Sequence, residues 1–329
     1  MKNISILTLA MLLAVSCNSR RNNTDDKAKQ PETQQTQQTQ TAESQASAPS
    51  FKIPQAPKML GGGPEAAEFY AEHYWDEFDF SDTLFISAPE VMESAFGQYL
   101  QIISRVPYDS AAESIKAMLR RAETCKPMYD HLCGLYEKYL YDPNSPVLNE
   151  ELFIVVLESQ IGSGILQDYE KIRPRELHKM ALKNRMGTKA ADFTYTLASG
   201  KQGTLYGIKA PLTIIFINNP GCPACKEIRE SISASQFLSG LIADGTIKVL
   251  AIYPDEDLTE WRNYAPNMPA EWINGYDKSL AMREKELYDL KAIPTVYLLD
   301  ANKTVILKDC MSVPVIEQTA YYLLNQNNR

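Results

Sequence analysis

Histidine, cysteine and excess basic charge are all scarce in this chain of 329 residues. The three histidines, His73, His131 and His178, are scattered. They offer no close imidazole pair, and structural zinc needs four ligands, so neither a metal nor any other cofactor is expected. Lys and Arg number 33 against 41 Asp and Glu, a net charge of −8. That balance lacks the basic field that nucleic-acid binding requires, and nucleic acid is excluded as a partner. Six cysteines in a chain this long are too few for a disulfide scaffold, so each thiol has to be placed on its own. What is present is ordinary for a soluble globular protein: 44% apolar and 22% charged residues. This excludes a largely disordered chain, a collagen-like repeat and a multi-span membrane protein. The length suggests about two domains.

The amino terminus reads as an address. Lys2 supplies a positive start, and Ile4 to Val15 is apolar apart from Ser5 and Thr8. The stretch is too short to cross a bilayer and remain there, which favours a secretory signal. Its ending, Ala14-Val15-Ser16-Cys17, resembles the bacterial lipobox. The resemblance implies cleavage before Cys17 and lipid on its thiol; an ordinary signal peptide with an incidental cysteine is the alternative. Each buried CH₂ of an acyl chain contributes ~0.8 kcal/mol, and the acidic body is repelled by anionic lipid, so lipid has to provide the anchor. Residues 1–16 are therefore expected to be a leader. Residues 17–57, with the run Gln34-Gln35-Thr36-Gln37-Gln38-Thr39-Gln40, are expected to be a disordered leash without a binding role. The expected location is the periplasmic side of the cell envelope, with the outer membrane favoured over the inner.

Two folded regions with different patterns follow. Residues 58–186 read as all-α. Ser87-Ala88-Pro89-Glu90 has the form of a capping box with proline in the first turn, and Val91, Ala95, Tyr99 and Ile102 recur at helical spacing behind it. Ser110-Ala111-Ala112-Glu113 opens a second helix in the same way. Further helices are predicted over 127–141, 148–161 and 169–186, the last interrupted near Pro174. The frequent tyrosines of this region read as packing residues. Residues 187–329 alternate strands with helices, as in an α/β sandwich. Strands are predicted over 193–197, 212–217, 247–253, 295–299 and 305–307, with Thr204-Leu205 returning from a hairpin-like turn at 198–203, and helices from Pro223 and over 258–264, 279–288 and 315–324.

The chemistry concentrates at Asn219-Pro220-Gly221-Cys222-Pro223-Ala224-Cys225. Here a buried strand gives way to a helix, the setting in which a CxxC is a redox dithiol. At the cap, the Cys222 sulfur faces free backbone N–H groups and the positive end of the helix dipole. Both favour thiolate, so its pKa is expected below the free value of about 8.5. Cys225, one turn on, comes within bonding reach and is more shielded. Zinc and a purely structural disulfide are the alternatives to a redox role.

From Ala190 onward the chain resembles the thioredoxin-like superfamily, closest to its TlpA/ResA-like envelope members. The resemblance rests on Asp192-Phe193-Thr194-Tyr195-Thr196-Leu197, the CPAC motif, Tyr253-Pro254-Asp255, and Ile293-Pro294-Thr295. It implies a thioredoxin-like α/β fold behind a separate all-α domain, with Cys222 and Cys225 catalytic. It further implies a cis Pro294 facing the dithiol, and Ile293 pairing its backbone with bound substrate. The activity implied is thiol–disulfide exchange with envelope proteins that carry thiols or disulfides; the upstream redox partner and the direction are left open. Three positions depart from family patterns. Phe216 stands where thioredoxins bury an acid, Ile228 where some ResA-like proteins place a glutamate, and Gly221 where a tryptophan is usual. The helical region resembles a poorly characterised domain found ahead of thioredoxin-like modules in Gram-negative lipoproteins.

Cys310, just past the last strand, is a buried packing thiol or a third redox thiol. Cys125 and Cys133 would stand ~12 Å apart on one straight helix, too far to bond, unless Pro127 bends the chain. Trp261 and Trp272 read as packing residues that could instead rim the dithiol. Two other functions stay open: a thiol peroxidase of peroxiredoxin type, against which Asn219 stands where threonine would be wanted, and a non-enzymatic binding lipoprotein.

Overall fold

The computed structural model describes residues 49–326. The expected leader, the lipidation site Cys17 and most of the leash lie outside the described residues. Phe51, within the stretch expected as leash, already stacks on Tyr74 at 5.2 Å and meets Trp75 edge-on at 5.2 Å. Folded packing therefore takes in the end of that stretch.

Six helices form the first region: α1 (Pro64–His73), α2 (Pro89–Ile103), α3 (Tyr108–Ala122), α4 (Lys126–Leu140), α5 (Glu150–Gly162) and α6 (Ile172–Ala181). Leu152 to Leu157 of α5 are all buried, because this helix is apolar on every side and is wrapped by α3, α4 and α6. Asn149 caps it, its side chain accepting from the Leu152 N–H at 3.1 Å. The tyrosines pack: Tyr74, Tyr99, Tyr129 and Tyr136 are buried, and their hydroxyls are tied inward where a partner exists. Tyr74 donates to the Ala95 carbonyl at 2.8 Å, and Tyr99 pairs with Ser114 at 2.8 Å.

The expected capping boxes do not form. α2 starts from Ala88 with Pro89 in its first turn and no side-chain cap. α3 starts two residues before Ser110, at Tyr108, since Pro107 fixes the entry and Asp109 supplies the first-turn acid. Pro174 does not interrupt α6 but sits in its first turn, where a missing N–H costs nothing.

The second region is a seven-stranded mixed sheet. Its strands are β1 (Thr194–Leu197), β2 (Gln202–Thr204), β3 (Leu212–Ile217), β4 (Ile247–Tyr253), β5 (Ile273–Tyr276), β6 (Thr295–Leu299) and β7 (Val305–Leu307), in the order β2-β1-β5-β4-β3-β6-β7. β3, β4 and β5 run parallel, and β6 returns antiparallel beside β3. The helices are α7 (Pro223–Ala234), α8 (Gln236–Ala243), α9 (Leu258–Tyr264), α10 (Ala281–Glu284) and α11 (Val313–Gln326). Residues alternate between the two faces of the sheet, as the pleat requires. Ile214, Phe216, Val296 and Leu298 share a core with α7, α8 and α11, while Ile215, Ile217, Tyr297 and Leu299 share the opposite core with Phe193, Met282 and Tyr288.

The helix expected over 279–288 shrinks to the single turn of α10, because Leu280 and Glu286 at its two ends take left-handed φ values of 54° and 47°. The all-α region and the α/β region are thus both present, in the expected order.

Candidate active site at the dithiol

The register of β3 and β6 sets the site. Ile217, the last residue of β3, pairs with Thr295, the first of β6. The chain leaving β3 toward Cys222 is therefore brought beside the residue that precedes Thr295, which is Pro294. Asn218 secures the exit: its N–H donates to the Ile252 carbonyl at 3.0 Å, and its side-chain amide donates to the Phe216 carbonyl at 3.1 Å. Asn219 donates to the Asp255 carboxylate at 2.8 Å, and Asp255 is in turn paired with Arg283 at 2.6 Å. Gly221 then turns the chain with a φ of +72°.

Cys222 is the N-cap of α7 with Pro223 as the first helical residue, and its sulfur accepts from the Cys225 N–H at 3.1 Å. Cys222 and Cys225 are joined as a disulfide, with Cα atoms 5.2 Å apart. The two sulfurs differ in access: Cys222 is half-buried, whereas Cys225 is buried among Phe216, Ile228 and Val296. The Ile293–Pro294 bond is cis, Pro294 is buried, and the Ile293 carbonyl lies 3.8 Å from the Cys222 sulfur. The structure thus brings Cys222, Cys225, Ile293 and Pro294 together. Cys17 lies outside the described residues.

The remaining candidates separate. Trp261 is buried against Tyr276, and Trp272 meets Phe216 edge-on, so both are packing residues. Cys125 and Cys133 are both free, at the start and in the middle of α4; burial pushes the Cys133 thiol up to about 12. Cys310 is also free, and burial raises its thiol above the ordinary value. Its N–H donates to the Val296 carbonyl at 3.0 Å, two residues beyond Pro294. It borders a cavity of about 690 Å³ at the seam of the two regions, lined also by Pro146, Met186, Met311 and Val315.

Sequence reasoning missed a buried ionic cluster behind the Pro294 loop. Lys291 lies 2.8 Å from Glu150, 3.1 Å from Asp309 and 3.8 Å from Asp289, and its ammonium sits 4.4 Å above the Tyr141 ring. Burial disfavours the ammonium, but the Asp309 and Glu150 carboxylates outweigh it and hold Lys291 above its ordinary value. Lys308 pairs with the other Glu150 oxygen and donates to the carbonyls of Ala181 at 3.1 Å and Lys183 at 2.8 Å. Tyr141 donates to Asp289 at 3.0 Å. The one signal available in sequence was charge inside apolar surroundings, as at Leu290-Lys291-Ala292-Ile293.

Comparison with known proteins places this geometry. A family model described as a domain of unknown function (DUF5106) matches residues 17–184. The chain is similar to a thioredoxin-like protein from Bacteroides caccae of known crystal structure, at 46% identity and a TM-score of 0.81, over 83% of this chain and 99% of that one. It is also similar to the C-terminal domain of an uncharacterized protein from Bacteroides fragilis, at 54% identity over 42% of this chain and 98% of that one, with a TM-score of 0.41. A conserved Bacteroides fragilis protein of unknown function shows 41% identity over 42% of this chain and 98% of its own, with a TM-score of 0.40. No curated protein matches the chain. A helical region matched by that family model, followed by a thioredoxin-like α/β region, is shared at 46% identity along nearly the whole length of the Bacteroides caccae protein, and the chain belongs to this DUF5106 family of thioredoxin-like proteins.

Proposed function

We propose that the chain is a membrane-tethered thiol–disulfide oxidoreductase of the TlpA/ResA-like kind, acting on protein thiols or disulfides in the cell envelope. The observation that carries this reading is the asymmetry of the pair at the start of α7: Cys222 half-exposed at the cap and Cys225 buried one turn later. In the reducing direction, the Cys222 thiolate attacks one sulfur of a substrate disulfide. A mixed disulfide forms and the first substrate sulfur leaves as thiolate. The Cys225 thiolate then attacks the Cys222 sulfur, closing the Cys222–Cys225 disulfide and releasing the second substrate thiolate; two electrons pass from the protein to the substrate. The oxidising direction is the reverse.

Backbone N–H groups and the dipole of α7 stabilise negative charge on the Cys222 sulfur, which supports its role as the attacking group. Ile293, with its backbone beside Cys222, offers a docking edge that is independent of the substrate's side chains, so recognition is broad. Asn219, with its amide held by Asp255, gives no support to the peroxidase alternative.

The test is trapping in envelope extracts, with insulin reduction as the assay. Cys225→Ser should accumulate mixed disulfides through Cys222, and Cys222→Ser should neither trap partners nor reduce insulin. Alkylation of the reduced protein near neutral pH should label Cys222 first. Preferential labelling of Cys225, or a Cys225→Ser variant that captures nothing, counts against the reading.

A further inference from the structure

The helical region reaches the Pro294 loop through the Glu150 carboxylate, beside the contacts of Tyr141 with Lys291 and Asp289. Glu150 opens α5, and Lys291 lies 141 positions later, two residues before Ile293. Their charged ends meet at 2.8 Å, with each side chain only 11% exposed. The second Glu150 oxygen pairs with Lys308, which lies two residues before Cys310. The strand exit that carries Cys310 is itself bonded to Val296 at 3.0 Å. A single side chain of the helical region thus grips both segments that flank the start of β6. The first turn of α5 is a favourable place for that carboxylate, because the free N–H groups there carry partial positive charge.

A buried ion pair adds little net stability over apolar packing of the same shape. It does fix geometry, since withdrawing either partner leaves the remaining buried charges less well compensated. Apolar surfaces can slide over each other at small cost; a paired ammonium and carboxylate cannot. At Lys291 this matters because the Ile293 carbonyl stands 3.8 Å from the Cys222 sulfur. A shift of the loop changes both the edge offered to substrate and the negative dipole end facing the sulfur.

We propose that Glu150 and Lys291 are positioning residues of the dithiol site, by which the helical region holds the Ile293–Pro294 loop against Cys222. The helical region is then a working part of the site rather than a spacer. This rests on the reading of Cys222 and Cys225 as a redox pair.

The test uses the full chain, insulin as substrate and a glutathione redox buffer. Lys291→Met should raise KM for insulin at least fivefold while kcat stays within twofold. It should also shift the equilibrium constant of the Cys222–Cys225 pair with glutathione at least threefold. Lys291→Arg should restore both quantities to within twofold of the parent. Glu150→Gln should shift both quantities in the same direction as Lys291→Met, and the double variant should fall short of the sum of the two singles, because the Glu150–Lys291 contact is lost in each. Should Lys291→Met fail to fold, Glu150→Gln carries the same readouts, since Lys291 keeps Asp309 and Asp289. Folded variants with parental KM and glutathione equilibrium overturn the proposal. So does full additivity in the double variant, or a Lys291→Arg protein as impaired as Lys291→Met. Failure of the redox reading looks different: the parent protein itself would neither equilibrate with glutathione nor reduce insulin, which overturns both.

Discussion

Gly221 precedes Cys222 with a φ of +72°, in the left-handed region that a side chain disfavours. At that value an L residue would carry a penalty of about 1–2 kcal/mol at the turn that presents the sulfur. A Cβ built at Gly221 would meet only Glu260 Oε1 at 3.8 Å, an ordinary contact, so the penalty is conformational and not a clash. Gly221→Ala should therefore lower unfolding free energy by about 1 kcal/mol in urea titration. If the turn relaxes to relieve the strain, Cys222 moves off the cap and insulin turnover falls with stability. Unchanged stability would mean that the turn does not need glycine. Phe216 is the second departure with a physical reason. Its ring is fully buried and meets Trp272 at 5.9 Å, so the position that thioredoxins give to a buried acid here contributes to the apolar core that also holds Cys225.

At the scale of elements, α10 and β5 show how side chains decide what local pattern cannot. Asp277, buried, accepts from the Ser279 N–H at 3.1 Å, the Ser279 hydroxyl at 2.8 Å and the Met282 N–H at 2.8 Å. It gathers the chain into one short turn where a helix over 279–288 was expected. Asp277→Ala leaves those donors unsatisfied and should cost about 1–3 kcal/mol. Asp277→Asn, which keeps an accepting oxygen, should cost less, and equal losses in denaturant titration would show that the acceptor is not what matters. β5 has no counterpart among the predicted strands, and its Asn274-Gly275 is a dipeptide common in hairpin turns. It lies instead inside a strand between β4 and β1, where a Cβ on Gly275 would meet the Tyr195 side chain at 3.1 Å. By contrast β3, β4, β6 and β7 were legible to the residue, since buried β-branched runs bounded by turn residues leave little choice of state. The dithiol was legible as a local motif, and the cis Pro294 through the resemblance that Ile293-Pro294-Thr295 helps to carry. The Glu150–Lys291 contact was not, because it joins residues 141 positions apart whose only local mark is charge in apolar company.

At the scale of the whole molecule, the balance of charge bears on how the protein can be held at a membrane. The chain carries a net charge of −8, which repels anionic lipid headgroups. Among the described residues no helix is long and apolar enough to cross a bilayer. For a tether at Cys17, one acyl chain without a second signal gives only marginal, reversible binding. Stable attachment at this site thus calls for more than one chain on the processed cysteine. Labelled fatty acid should enter the parent protein and be missing from Cys17→Ala, and intact mass should show that the variant keeps residues 1–16. If lipid on Cys17 is the anchor, the attachment is apolar and not electrostatic, and the parent protein should stay with membranes in high salt and leave them in detergent. Release by salt alone would point to charge-mediated attachment. A Cys17→Ala protein that is processed normally and still sediments with membranes would place the attachment elsewhere in the chain.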